Sequence, residues 1–243
     1  MKKLPVIVIF CYNRLTHLKK TISSLKKNYN FEKYKVYIFS DGPKNIADYK
    51  KIQNIRKYIF SLKLKRSHIH QNKTNFGLKK NVIQGLNKIF KKNKSAIIIE
   101  DDIVTNRHFL DYMTDAINYY SANQKVGSIS GYTSIKSKKI QKYNKEVYFT
   151  KRHFSWGWAT WSTVWKKFIF EEKKLKKFIN NKNLEKFNNI GQDLPILLNL
   201  SFEKKINSWS ILFDFNCLIN KFICVCPKYS LVKNIGFDNS GTH

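Results

Sequence analysis

The run Ala96-Ile97-Ile98-Ile99 ends abruptly in Glu100-Asp101-Asp102. Consecutive β-branched residues read as a buried strand. Three carboxylates at its exit then project into a cleft at the strand's carboxyl end, where α/β proteins put ligands. Adjacent carboxylates repel unless a cation or bound ligand offsets the repulsion. Hard oxygen donors suit Mg²⁺ or Mn²⁺, which in turn suit a diphosphate. A helical pattern follows, so the same residues are equally readable as the start of a helix whose N-terminus favours negative charge.

Upstream of the triplet, strand-like and helix-like segments alternate, the signature of a parallel sheet with crossover helices. Strands are expected at Val6 to Tyr12, Tyr34 to Phe39 and Ser67 to His70, and helices at Thr16 to Lys27, Ala47 to Ser61 and Leu78 to Lys91. The second half is looser. It reads as a helix from Arg107 to Ser121, strands at Val126 to Ser130 and Val147 to Thr150, and a stretch from Arg152 to Trp161 holding Trp156, Trp158 and Trp161. Helical segments at Trp161 to Phe168, Leu184 to Phe187, Leu194 to Phe202 and Trp209 to Asn220 follow, then a strand at Phe222 to Cys226. No repeat, long linker or low-complexity block divides the chain. The expectation is an α/β fold in one domain, 1–243, whose residues 1–105 bind a nucleotide and whose residues 106–243 complete the acceptor side of the cleft.

The chain carries 46 Lys and Arg against 16 Asp and Glu, a formal charge of +30. Such a surplus invites a nucleic-acid or membrane reading. Only Arg14, Arg56, Arg66, Arg107 and Arg152 are Arg, whereas base and phosphate recognition favour the planar guanidinium fork. No nucleic-acid partner is therefore expected. Lysines attract anionic lipid headgroups at about 1 kcal/mol each, so peripheral contact with an anionic membrane is preferred over a merely solvated surface. No stretch approaches the roughly 18 apolar residues of a membrane-spanning helix. Leu4 to Tyr12 lacks a cleavage site and reads as a first strand, which implies a cytosolic protein, peripheral on the inner membrane face. Cys11, Cys217, Cys224 and Cys226 are few, irregularly spaced and set in apolar segments, as reduced buried thiols are.

Strands ending in Cys11-Tyr12-Asn13-Arg14, in Ser40-Asp41-Gly42 and in the acidic triplet would converge at one sheet edge. They offer a guanidinium for phosphate, a carboxylate able to accept from a base N–H, and a cation seat. With no glycine-rich phosphate loop in the chain, metal and side chains must neutralise the phosphates.

These motifs together with Asn75-Phe76-Gly77-Leu78, Phe154 to Trp158 and Trp209 onward resemble, in order, a GT-A-fold glycosyltransferase. Within that class the chain is similar to the N-acetylglucosaminyltransferase I family and to bacterial family 2-like sugar transferases. The resemblance implies a mostly parallel mixed sheet flanked by helices, and metal-dependent, inverting transfer from a nucleotide-sugar. UDP-N-acetylglucosamine or another UDP-hexose is the implied donor, and a bacterial surface glycan or lipid-linked molecule the acceptor. It implies that Phe10, Asn13 and Arg14 contact the uridine and its diphosphate, that Asp41 accepts from the uracil ring, and that Lys79 supports the base or phosphates. Asp102 would ligate Mn²⁺ or Mg²⁺, Asp101 hold the ribose, Glu100 face the donor sugar, and the terminal His243 touch the metal or diphosphate. Trp156, Gly157, Trp158 and Trp209 would line the sugar and acceptor side, with core packing as the other reading of the tryptophans.

The pattern departs at the base. Where relatives carry an acid just after the tryptophan matching Trp209, this chain has Ser210 and Ile211. Two carboxylates are substitutes: Asp193, in a loop at a helix start, narrowly preferred, and Asp214, one helical turn beyond Ser210. Their bland readings are an N-cap and a helix-surface charge. The other histidines, His153 included, read as ordinary surface or boundary residues. A nucleotidyltransferase, which would normally carry a glycine-rich phosphate loop, and a non-catalytic basic binding module are the alternative functions.

Overall fold

The computed structural model describes residues 3–135 and 142–238. Its centre is an eight-stranded sheet in the order β3-β2-β1-β4-β8-β6-β9-β7. The strands are β1 (Val6–Cys11), β2 (Val36–Ser40), β3 (Ser67–Gln71), β4 (Ser95–Glu100), β6 (Val126–Ser130), β7 (Val147–Thr150), β8 (Trp158–Trp161) and β9 (Ile223–Pro227). Strands β1 to β4 run parallel, β8 enters antiparallel between β4 and β6, and β7 closes one edge antiparallel to β9. A short antiparallel pair, β5 (Ile103–Thr105) with β10 (Val232–Asn234), sits outside the sheet.

The strand order follows from burial. All six residues of β1 are buried, as are Ala96 to Ile99 of β4, and β1 pairs with β2 on one side and β4 on the other. An unbroken apolar run is stable where both faces are covered, which is the centre of a parallel sheet. The register places Phe10 beside both Phe39 and Glu100, so β1, β2 and β4 end at one level.

Helices α1 (Leu15–Lys26), α2 (Ile46–Ser61) and α3 (Gly77–Phe90) make the crossovers. Each buries one stripe: Leu18, Ile22 and Leu25 of α1, Ile52, Ile55 and Ile59 of α2, and Val82, Leu86 and Ile89 of α3. The Asn45 side chain accepts from Asp48 N at 3.1 Å and caps α2, satisfying an otherwise orphaned amide. Helix α4 (Phe109–Tyr119) packs its apolar face beside β6 and β8. Helices α5 (Ser162–Trp165), α6 (Glu172–Lys176), α7 (Asn181–Ile190), α8 (Leu194–Phe202) and α9 (Ser210–Ile219) complete the chain. Leu175, Phe187, Leu194, Leu198 and Phe215 of α6 to α9 form a second, smaller core cluster.

Two sequence expectations are corrected. Asp101 and Asp102 do not open a helix: they form a turn into β5, and α4 starts only at Phe109. The helix expected at Trp161 to Phe168 is shorter, Ser162–Trp165, and the residues ahead of it form a strand that was not foreseen, β8, buried along its whole length. Trp158 is fully buried against Trp209 at 4.9 Å and Phe213 at 4.9 Å between ring centroids. Core packing is thus the reading that holds for Trp158, and its ring faces no cleft. Trp158→Ala is expected to lower unfolding free energy by about 3–5 kcal/mol in a urea titration. A loss below about 1 kcal/mol, the scale of a surface substitution, would contradict that packing.

Candidate active site

The ends of β1, β2 and β4 meet as expected, and a guanidinium joins two of the acids. Arg14 Nη2 donates to Asp101 Oδ1 at 2.6 Å and to Asp102 Oδ2 at 2.9 Å. Asp101 also accepts from the Tyr12 backbone N–H at 3.1 Å, and its own carbonyl accepts from Thr21 Oγ1 at 2.8 Å. Both aspartates are buried. Burial pushes the Asp101 carboxyl upward, and Arg14 pulls against it. Glu100 reaches the half-buried rim, where Trp209 Nε1 donates to its Oε1 at 3.3 Å. Burial, with the Asp102 and Asp101 charges beside it, pushes the Glu100 carboxyl up to about 8.

The segment after β10 closes over this corner. Ile235 N donates to the Asp102 carbonyl at 2.9 Å, and His17 Nε2 lies 3.2 Å from Ile235 O. Gly236 lies so close that a Cβ on it would overlap Asp102 Oδ2 and Arg14 Nη1. Only glycine allows the backbone to approach that closely. His243 lies outside the described residues.

The remaining nucleotide-side residues are placed less simply. Phe10 is buried, stacked on Phe39 at 5.2 Å beneath Gly85, so its ring belongs to the core and not to a ligand surface. Asn13 Nδ2 donates to Asp48 Oδ1 at 3.0 Å, and Tyr12 Oη donates to Asp48 Oδ2 at 2.5 Å. The first turn of α2 therefore pins the loop that carries Arg14. Asp41 is buried and accepts from Asn72 Nδ2, Phe76 N, Gly77 N and Gly42 N at 2.9–3.2 Å. An ionised carboxylate offers about four lone-pair sites, so these donors occupy it and it shapes the Asn75-Phe76-Gly77 loop. Lys79 turns toward the second half, its Nζ 2.7 Å from Glu172 Oε1 of α6.

In the second half of the chain, a cavity of about 570 Å³ is lined by Tyr132, Arg152, His153, Trp156, Ser210 and Asp214, among others. It adjoins the acidic corner through two contacts: Trp156 packs on Phe237, next to Gly236, and Trp209, bonded to Glu100, precedes Ser210. Gly157 adopts φ 56°, and a Cβ there would press on Val232 and Phe109, so this turn requires glycine. Trp209 is almost fully buried and reaches the site only through its N–H.

The two candidate bases differ sharply. Asp193 is exposed and held by a two-pronged pair with Arg152, Nη1 to Oδ1 at 2.8 Å and Nη2 to Oδ2 at 2.7 Å. That hydrogen bonding holds its carboxyl below the usual range. Asp193 occupies the N-cap position of α8, as its bland reading expects, but its side chain makes no capping bond. Asp214 is buried on α9 and lines the cavity; its Oδ1 accepts from His153 N at 2.7 Å. Burial pushes its carboxyl up to about 6, and it is no helix-surface charge.

His153 was not legible as a site residue. Its ring is buried against Trp158 and Phe213, Nδ1 sits 3.1 Å from Ser128 Oγ, and Nε2 is buried with no hydrogen-bond partner among the described residues. Its signal in the sequence, a histidine just ahead of the aromatic stretch Phe154 to Trp161, is one that core packing shares.

Among the described residues no group of three or more His, Cys, Asp or Glu could hold a metal. A divalent cation on a nucleotide needs less: one or two carboxylates, with phosphate oxygens and water completing the shell. Asp102, whose side chain keeps 12% of its surface exposed beside Arg14, offers one such carboxylate.

The raised Glu100 carboxyl has a consequence for stability. The folded protein keeps a proton that the unfolded chain releases above about pH 4.3, so stability present at low pH is lost as pH rises toward about 8. Between pH 6 and pH 8 the loss from this group is expected to be about 2 kcal/mol. Urea unfolding across that window should show the decline, and Glu100→Gln should flatten it; equal slopes in both proteins would contradict the shift.

No curated protein matches the chain. The family model for glycosyl transferase family 2 matches residues 6–179, from the start of β1 to beyond α6. That span takes in all three strand ends, the acidic triplet and the tryptophan-rich turn, and the chain therefore belongs to glycosyl transferase family 2 and is a glycosyltransferase.

Proposed function

We propose that the enzyme transfers a hexose from a UDP-sugar, UDP-N-acetylglucosamine or a close relative, to a hydroxyl of a bacterial surface glycan or lipid-linked acceptor, with inversion. The observation that carries this reading is the pairing of Arg14 with two buried carboxylates at the end of β4, beside a cavity that holds a third buried carboxylate, Asp214. The similarity to the N-acetylglucosaminyltransferase I family supports the donor class, as does the absence of a glycine-rich phosphate loop from the sequence.

Asp102 would hold Mn²⁺ or Mg²⁺ together with the donor's diphosphate. Bound there, the cation supplies charge neutralisation for the departing nucleotide. Arg14 adds a guanidinium able to bond phosphate oxygens in parallel. Asp101, anchored by Tyr12 N, orients the ribose side. Glu100, its proton affinity raised by burial and by its two acidic neighbours, faces the donor sugar while Trp209 donates to its carboxyl.

Asp214, not Asp193, is the base in this reading. A base acts best when its proton affinity lies near the working pH, and burial brings Asp214 to about 6. Asp193 has both oxygens committed to Arg152. Trp156, half-buried on the cavity wall, offers an aromatic face for a sugar ring,. The charge of +30 supports peripheral contact with anionic lipid,. Vesicle co-sedimentation that persists at high salt, or is absent at low salt, would exclude that contact.

Two measurements test the chemistry. In calorimetry, Mn²⁺ is expected to tighten UDP binding, and Asp102→Ala to remove that effect while leaving the circular dichroism unchanged; UDP affinity indifferent to Mn²⁺ would overturn the cation seat. In steady-state turnover, Asp214→Asn is expected to lower kcat by about 10²–10⁴-fold, against a few-fold at most for Asp193→Asn. The reverse ranking would return the base to Asp193.

A further inference from the structure

A single nitrogen, Arg14 Nη2, bonds both Asp101 and Asp102. Among the described residues Arg14 is the ion-pair partner of each. The two acids are held unequally. Asp101 keeps a second bond, from Tyr12 N, when the guanidinium leaves, whereas the Asp102 carboxylate is bonded by Arg14. Gly236 confines the guanidinium from the other side, against Nη1. Tyr12 and Asn13, both fixed by Asp48, hold the backbone from which Arg14 extends.

From this geometry we infer that Arg14 is the internal counter-ion of the free enzyme, closing Asp102 to a divalent cation until a nucleoside diphosphate draws the guanidinium away. The inference rests on the reading that Asp102 seats the cation. A cation approaching the nucleotide-free protein meets a carboxylate already neutralised and a positive charge within one hydrogen bond of its seat, and like charges so close repel in a partly buried site. A diphosphate offers the guanidinium a matching pair of oxygen acceptors. Once Nη2 turns to it, the charge of Asp102 is left unpaired while Asp101 stays anchored by Tyr12 N. Cation and nucleotide then bind cooperatively, and by linkage each raises the other's affinity by the same factor. The two acids, adjacent in sequence, thereby take different parts: Asp101 stays a fixed strut and Asp102 becomes the released ligand.

The test is calorimetric titration of MnCl₂ into wild-type protein, Arg14→Gln and Arg14→Lys, each with and without UDP, with circular dichroism to establish folding. Wild-type protein should bind Mn²⁺ alone weakly and at least about tenfold tighter with UDP, the size of an ordinary coupling between sites. Arg14→Gln should bind Mn²⁺ alone at least about tenfold tighter than wild type, since the opposing charge is gone. Arg14→Lys, which keeps the charge, should stay as weak as wild type. The inference is overturned if Arg14→Gln binds Mn²⁺ alone no tighter than wild type, or if Arg14→Lys tightens as much as Arg14→Gln. Should Arg14→Gln fail to fold, wild-type protein that binds Mn²⁺ equally with and without UDP overturns it unaided. Failure of the underlying reading looks different: Mn²⁺ that binds neither alone nor with UDP removes the seat at Asp102 itself.

Discussion

Two buried aspartates and a third, half-buried carboxylate in immediate succession are the constraint that the rest of the molecule answers. Desolvated like charges are tolerated only when each finds donors or a counter-charge. The carboxylates take donors from Tyr12 N at the end of β1 and from Trp209 ahead of α9, while Thr21 of α1 and Ile235 after β10 bond the backbone carbonyls of the same turn. The counter-charge comes from Arg14. The acidic turn is therefore a meeting point that ties the first crossover unit to the closing segment more than 130 residues later. A fold that satisfies such a turn from several directions has few alternatives, because losing one donor leaves a polar atom buried without a partner.

The first half of the chain was readable because its determinants are local. Apolar runs that stop at polar clusters gave β1 to β4, and helical periodicity gave α1 to α3, all with boundaries within two residues of those observed. The second half depends on contacts distant in sequence. Strand β8 is Trp158-Ala159-Thr160-Trp161, with no long β-branched run; it is a strand because β4 and β6 each offer it an open edge. The same applies to Phe10. Its place next to Arg14 in sequence suggests a ligand contact, yet alternation along β1 turns its ring under α3, while Arg14 lies beyond the strand end.

The two candidate bases show the limit most directly. On the sequence Asp193 held the advantage of a loop position. What decides between them is the surroundings each meets: Arg152, 41 residues away, pairs directly with one, while burial outweighs the pull of His153 and Arg152 on the other. Neither circumstance leaves a mark in the residues flanking the aspartate. Asp41 is a milder case: the turn was correctly placed, but the backbone amides of Phe76 and Gly77 fill a carboxylate that the resemblance assigned to the base.

One aromatic stack links the two ends of the site. Trp209 donates to Glu100 and lies flat on Trp158, which meets the His153 ring edge-on, and the His153 backbone N–H holds Asp214. Stacked and edge-to-face rings in a close-packed core resist independent movement. The carboxyl at the donor corner and the carboxyl in the cavity are thus positioned by opposite ends of one rigid block. A displacement transfer needs that rigidity, because nucleophile and leaving group must be held in register across the sugar, and small misplacements are costly in rate. The burial that makes Trp158 unavailable as a sugar platform is what lets it fix the distance between the Glu100 and Asp214 carboxyls.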